Sequence, residues 1–133
     1  MSPFIQKIIL RFVLILLLVH NILGEDVNVV NYLEGNLDLT LHCKSKDDDL
    51  GVHLLHHGQN FRWTFTPSFF GNTLFFCSFT WNGELHWFDI YKGSDSQRSE
   101  CENCDWRIYK SGPCRIQEVF GSICFPWNKS KIM

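Results

Sequence analysis

Residues 73–91 read TLFFCSFTWNGELHWFDIY. Phe75, Cys77, Phe79 and Trp81 recur at every second position, the period that turns one face of an extended strand toward a core. Leu74 and Phe76 put apolar groups on the other face near its start. Asn82-Gly83 follows, and both residues tolerate the positive φ angles that a two-residue hairpin needs. Glu84–Tyr91 answers, with His86, Phe88 and Ile90 on one side and Leu85, Trp87 and Tyr91 on the other. The stretch is a β-hairpin, and it sets the class of the rest.

Outward from the hairpin the same signal repeats. Leu37, Leu39, Leu41 and Cys43 alternate with Asp38, Thr40 and His42, without the three- and four-residue spacing of a helix. Phe61, Trp63 and Phe65 alternate with Arg62 and Thr64 and stop at Pro67. Residues 27–32 and 52–55, Trp106 with Ile108, and Cys114–Ile116 are shorter candidates, and the tail after Phe120 stays unassigned. Turn signals such as Glu34-Gly35-Asn36, His56–Asn60 and Lys110–Pro113 fall every eight to twelve residues. Segments 47–49 and 92–100 hold no apolar residue and are expected to be an exposed loop and a mobile surface loop. The expected fold is all-β, a small antiparallel β-sandwich of seven or eight strands. The 133 residues suffice for one domain, and 45% apolar with 15% aromatic content is ample for its core.

Residues 1–24 are set apart. Lys7 and Arg11 precede the unbroken apolar run Phe12–Val19, and Gly24 offers a small residue before Glu25-Asp26. This pattern is expected to be a secretory signal peptide, with 25–133 as the domain. The run is shorter than the roughly 20 residues a membrane-crossing helix needs. All six cysteines lie after it, so a disulfide-tied, extracellular protein is expected. Six cysteines allow 15 pairings. Bonds from Cys43 to Cys114 and from Cys77 to Cys104 would tie early strands to late ones, each closing a long loop worth about 3–5 kcal/mol. Cys101 and Cys124 would then pair with each other or stay free. Without Lys7 and Arg11, ten basic residues face fourteen acidic ones, which disfavours nucleic acid and anionic membranes as partners.

Four segments in register, HCKSKDDDLG at 42–51, TLFFCSFTW at 73–81, HWFDIY at 86–91 and CENCDWRIYKSGPC at 101–114, resemble the plant self-incompatibility S1 family, the S-protein homologues. The likeness runs from about Val27 to Ile116. It implies a secreted, disulfide-containing β-sandwich, with Cys43, Cys77, Cys104 and Cys114 on the family's recurring positions and Cys124 as an addition. It also implies a recognition signal, since founding members are pistil proteins that block self pollen through a pollen-surface membrane receptor.

Candidate chemistry is sparse. Asp47–Asp49 could hold Ca²⁺, but consecutive residues on an extended loop diverge, and a capped or solvated loop is expected. His53, His56 and His57 lack the converging ligand set of a zinc site. Cys101-x-x-Cys104 has redox or zinc-knuckle spacing, yet no second pair at zinc spacing follows, and structural disulfides to other cysteines are expected instead. Neither a Gly-x-Ser-x-Gly elbow, nor a phosphate-binding glycine loop, nor a ribonuclease-like histidine pair stands out. Trp63, Trp81 and Trp106 are expected in the core, with Trp87 and Tyr91 as exposed exceptions. Asn128-Lys129-Ser130 is a glycosylation acceptor at Asn128. The expected function is a secreted, non-enzymatic ligand that binds a cell-surface receptor, with no cofactor and no small-molecule substrate. Its contacts are assigned to Asp47, Asp48, Asp49, Lys92, Ser94, Asp95, Gln97 and Arg98, because loops on a rigid sheet vary without disturbing the core. The alternative is a secreted defence or toxin-like protein acting on microbes or membranes.

Overall fold

The computed structural model describes residues 1–22, 24–99, 101 and 103–129. Glu100, at the end of the 92–100 loop, and Ser130, of the glycosylation acceptor, lie outside them. The chain opens with helix α1 (Pro3–Ile22), whose side chains through Val19 are exposed. Among the described residues no helix is long and apolar enough to cross a membrane.

Nine strands follow among the described residues: β1 (Glu25–Asn31), β2 (Leu39–Lys44), β3 (Asp49–Leu55), β4 (Asn60–Phe65), β5 (Leu74–Trp81), β6 (Glu84–Lys92), β7 (Asn103–Tyr109), β8 (Gly112–Gln117) and β9 (Gly121–Cys124). They form a five-stranded sheet in the order β4-β1-β7-β8-β9 and a four-stranded sheet in the order β3-β2-β5-β6. The two sheets make the expected sandwich, and the strand beyond the expected seven or eight is β9, in the unassigned tail. One ladder is not antiparallel: β1 and β7 pair parallel, with Val27 opposite Cys104. Five strands separate them in sequence, and so long a connection permits either direction.

The alternating residues face inward. Val27, Val29, Leu39, Leu41, Phe75, Phe79, Trp81, Phe88, Ile90, Trp106 and Ile108 are each 4% exposed or less. Each buried side chain of this size contributes about 1.5–3 kcal/mol relative to exposure. Rings from the two sheets meet directly, as in Phe65 against Phe75 at 4.6 Å and Phe88 against Trp106 at 5.4 Å between centroids. Trp87 is 38% exposed, but Tyr91, expected outside with it, is 2% exposed. The β5–β6 register shifts between Phe75 and Phe76, so that Phe75 faces Tyr91 while Phe76 faces Asp89. A bulge breaks the period of two, and Ile90 and Tyr91 both turn inward.

The expected disulfide pairing is wrong. Cys43 bonds Cys77, Cys101 bonds Cys104, and Cys114 bonds Cys124. Cys43 and Cys77 stand opposite each other on adjacent strands, as do Cys114 and Cys124. Alternation shows which face a cysteine occupies but not which strand lies beside it, and here the nearest sulfur is on the neighbouring strand. The bonds over 34 and 10 residues contribute about 3–4 and 2–3 kcal/mol in the chain-entropy picture. Neither joins one sheet to the other. The C-terminal segment does that instead. Leaving β9, Phe125 packs on Phe88 and Trp106. Trp127 packs on Phe79, Trp81 and His86. Trp127 Nε1 donates to Lys110 O at 2.8 Å, and Asn128 N to Trp87 O at 2.9 Å.

Candidate functional site

The strand directions divide the connections between two ends of the sandwich. One end holds the short turns 56–59, 82–83 and 110–111, together with the 32–38 connection. At 82–83 both residues have positive φ, 46° for Asn82 and 75° for Gly83, as the hairpin signal requires. The other end gathers the two longest connections, 66–73 between β4 and β5 and the segment after β6, beside the 45–48 turn between β2 and β3.

The sequence-assigned contact residues all come to this second end, in two groups. Asp47 and Asp48 are exposed at the β2–β3 turn, which is closed by Ser45 N donating to Asp48 O at 2.8 Å and Asp48 N to Ser45 Oγ at 3.1 Å. Asp49 is different, because it opens β3. Its carboxylate accepts from Gly51 N at 2.9 Å and lies 2.6 Å from His42 Nε2. The Gly51 amide, and then His42, hold that carboxyl below the usual aspartate value. Asp49 therefore shapes the turn, and Asp47 and Asp48 are left facing outward.

The second group is Lys92, Ser94, Asp95, Gln97 and Arg98. The mobile loop expected here is instead pinned. Asp95 caps a single 3-10 turn, Ser96–Arg98, by accepting from Gln97 N at 3.0 Å. It also accepts from Arg98 Nε at 2.7 Å, and this ion pair leads the causes that lower its pKa. Arg98 lies over the Phe88 ring, 5.6 Å from its centroid. Arg115 of β8, only 8% exposed, donates from below to Gln97 O at 2.6 Å, Ser99 O at 3.2 Å and Ser96 O at 3.5 Å. Asp95 and Arg98 are thus internal supports, while Ser94 and Gln97 remain exposed.

Between the two groups stands the 66–73 loop, which the sequence reading takes as a loop but leaves out of the contact residues. Ser68 N donates to Thr73 Oγ1 at 2.7 Å and Gly71 N to Ser68 O at 3.1 Å. On its flank Gly93 N donates to Thr73 O at 2.9 Å, and a Cβ on Gly93 would come within 2.7 Å of Gly71 O. The loop so braced holds Phe69 and Phe70 at 74% and 87% exposure, in edge-to-face contact with each other. The signal for them was present: two adjacent phenylalanines between Pro67 and Gly71-Asn72, outside any alternating run. On the other side, a groove of about 780 Å³ separates the loop from the β2–β3 turn, with Asp47, Asp48, Thr66, Asn72 and Phe65 in its lining.

The histidines considered for metal are occupied elsewhere. His53 Nε2 lies 2.8 Å from Leu50 O and its ring stacks on Phe61, His56 Nδ1 lies 2.8 Å from Asp38, and His57 Nδ1 lies 3.2 Å from Leu33 O. These three do not converge on one point.

Known proteins resemble this chain over nearly the whole sandwich. The sequence profile of the plant self-incompatibility protein S1 family matches residues 26–127. S-protein homolog 2 of Arabidopsis thaliana is 46% identical over 113 residues, covering 80% of this chain and 70% of that protein. S-protein homolog 29 of the same plant is 46% identical over 105 residues, covering 77% and 76%. A solved structure of a self-incompatibility protein homologue, described as one of a widespread family of small, highly stable, secreted plant proteins, matches with a TM-score of 0.59. It covers 80% of this chain and 96% of that one at 16% identity, a likeness of fold. The profile match across the sandwich, with these relatives, establishes that the chain belongs to the plant self-incompatibility protein S1 family.

Proposed function

We propose that this protein is a secreted, non-enzymatic signalling and recognition ligand of the self-incompatibility S1 type. It binds a cell-surface membrane receptor protein through the long-loop end of its sandwich. One observation carries the reading. Asp47 and Asp48, the Phe69-Phe70 pair, and Ser94 with Gln97 come from three separate connections and are all exposed at the same end. Protein interfaces draw most of their energy from a few large anchors ringed by polar groups, and two braced, exposed phenylalanines beside two carboxylates have that composition.

Export fits the same reading. Residues 1–24 are the signal peptide and 25–133 the domain, and because β1 begins at Glu25, a cut after Gly24 leaves every strand whole. The related solved structure is of a secreted plant family. Asn128 is the glycosylation acceptor. The reading assigns no catalytic residue, cofactor, nucleic acid or small-molecule substrate.

The test is binding of labelled protein to protoplasts from tissue that makes the transcript. Saturable binding that is lost in Phe69→Ser/Phe70→Ser and weakened in Asp47→Ser/Asp48→Ser supports the reading. Binding unchanged by both variants sinks it. The exposed phenylalanine pair also suits the second reading, a protein acting on membranes. In that case the wild type releases dye from protein-free liposomes and the phenylalanine variant does not.

A further inference from the structure

The third disulfide has surroundings the other two lack. Cys101 and Cys104 are bonded over a separation of three residues where β7 begins. Cys101 is 8% exposed and Cys104 1%. The parallel β1–β7 pairing sets Asp26 opposite Asn103 and Val27 opposite Cys104, which brings Glu25 to the same place. A carboxylate oxygen of Glu25 and the two sulfurs all lie within 4.8 Å of one another. Oε2 of Glu25 is buried and has no hydrogen-bond partner among the described residues. Among those residues no carboxylate stands in this way at Cys43–Cys77 or Cys114–Cys124. A buried polar atom without a partner is costly and calls for an explanation, a redox or catalytic role among them.

We propose that Glu25, Cys101 and Cys104 form a thiol–disulfide exchange site that takes small monothiols of the glutathione class, with Glu25 as its proton shuttle. This goes beyond the receptor reading and does not depend on it. The Glu25 carboxylate accepts the proton of an incoming thiol. The thiolate so formed attacks Sγ of Cys101, the more exposed of the two residues, and a mixed disulfide forms as the Cys101–Cys104 bond breaks. Cys104 leaves as thiolate and receives the proton from Glu25. Its sulfur lies 3.7 Å from Cys101 O, an acceptor already in place for the new S–H. A second thiol attacks the mixed disulfide and frees Cys101 as thiol. Two monothiols are oxidised to one disulfide while one protein disulfide is reduced to two thiols, and the protons balance. The short loop gives this bond the least chain-entropy stabilisation of the three. Its opening leaves both cross-strand bonds closed, so the sandwich persists.

The test uses the protein secreted by a eukaryotic expression host. It is mixed with reduced glutathione, quenched with an alkylating reagent at intervals, and mapped by peptide mass spectrometry for each cysteine pair. We expect Glu25→Gln to slow the opening of Cys101–Cys104 by about a hundredfold, the lower end of what a positioned proton-transfer group supplies. Cys43–Cys77 and Cys114–Cys124 should open at unchanged rates, which also shows that the variant is folded. Mixed instead with oxidised glutathione, Cys104→Ser should form a mixed disulfide at Cys101 with release of one reduced glutathione, while Cys101→Ser should leave Cys104 unmodified. An unchanged Cys101–Cys104 rate in Glu25→Gln overturns the proposal, as does opening of that bond only together with Cys43–Cys77.

Discussion

The two ends of the sandwich are each organised by one buried polar side chain, and the two do it differently. At the short-turn end Asn31 is 0% exposed. Its Nδ2 donates to Leu37 O at 2.8 Å and Leu55 O at 2.9 Å, and its Oδ1 accepts from Leu33 N at 2.9 Å. Its own backbone closes on Gln59 and Gly58. A short side chain at the end of a central strand thus locks two turns to each other. Glu34 extends the lock to a third by accepting from Lys110 N at 3.1 Å. At the long-loop end Arg115 reaches on a long stem to three carbonyls of one loop, and its Nε is buried without a partner among the described residues. Asn31 therefore holds its end from within, whereas Arg115 holds one loop and leaves the tips at 46–48 and 69–70 to solvent. The lesson is that one fold can seal one end and keep the other variable, because the core lies between them and is indifferent to loop tips.

Four measurements sharpen or break this contrast. Asn31→Leu should have the largest effect, a loss of about 3–5 kcal/mol in urea unfolding, since two carbonyls and an amide are left buried and unpaired. A loss below about 1 kcal/mol would mean that the turns hold themselves. Arg115→Met keeps the apolar stem and frees three carbonyls that can find water. A loss of about 1.5–3 kcal/mol is expected, with proteolytic cleavage rising within 92–99 and nowhere else.

The third measurement uses acid. Arg98, foremost, holds the folded-state pKa of Asp95 below the ordinary aspartate value. A depressed carboxylate stabilises the fold above its unfolded pKa, about 3.9, and that contribution is lost as pH falls through the folded value. Above about pH 5 the wild type should be more stable than Asp95→Asn, and the difference should shrink as pH falls below about 4 and vanish only beneath the lowered folded-state value. Parallel urea midpoints across the whole range would remove the Arg98 pair from the account of this loop. Smallest is the stability change in Phe69→Ser/Phe70→Ser, within about 0.5 kcal/mol of wild type, alongside lost cell binding. Marked destabilisation of that variant would show the phenylalanines to be structural and return the long-loop end to ordinary surface.

Much of the sandwich was legible before any coordinates. The 73–91 hairpin, the core face of β2 and the aromatic face of β4 follow from alternation and from Asn82-Gly83, because a strand's side-chain period is a local property. Tyr91 was misplaced by one bulge, which depends on pairing with β5. Asp49, Asp95 and Arg98 read as free charges because their partners, His42, Gly51 and the Phe88 ring, are defined by turn geometry and by neighbouring strands. Asn31 and Arg115 gave no signal, since one asparagine in a β-prone run and one arginine in a strand look like solvent-facing residues.

The sequence by itself determined an all-β domain, all but the last of its strands, its short turns and its family, all of which are written in near-neighbour patterns and motif order. Tertiary structure alone decided which cysteines meet, that β1 and β7 run parallel, that the C-terminal tail and not a disulfide joins the sheets, and that three distant loops share one end. Those outcomes depend on which strands lie side by side. That is set by the packing free energy of the whole core, and no local stretch of sequence carries it.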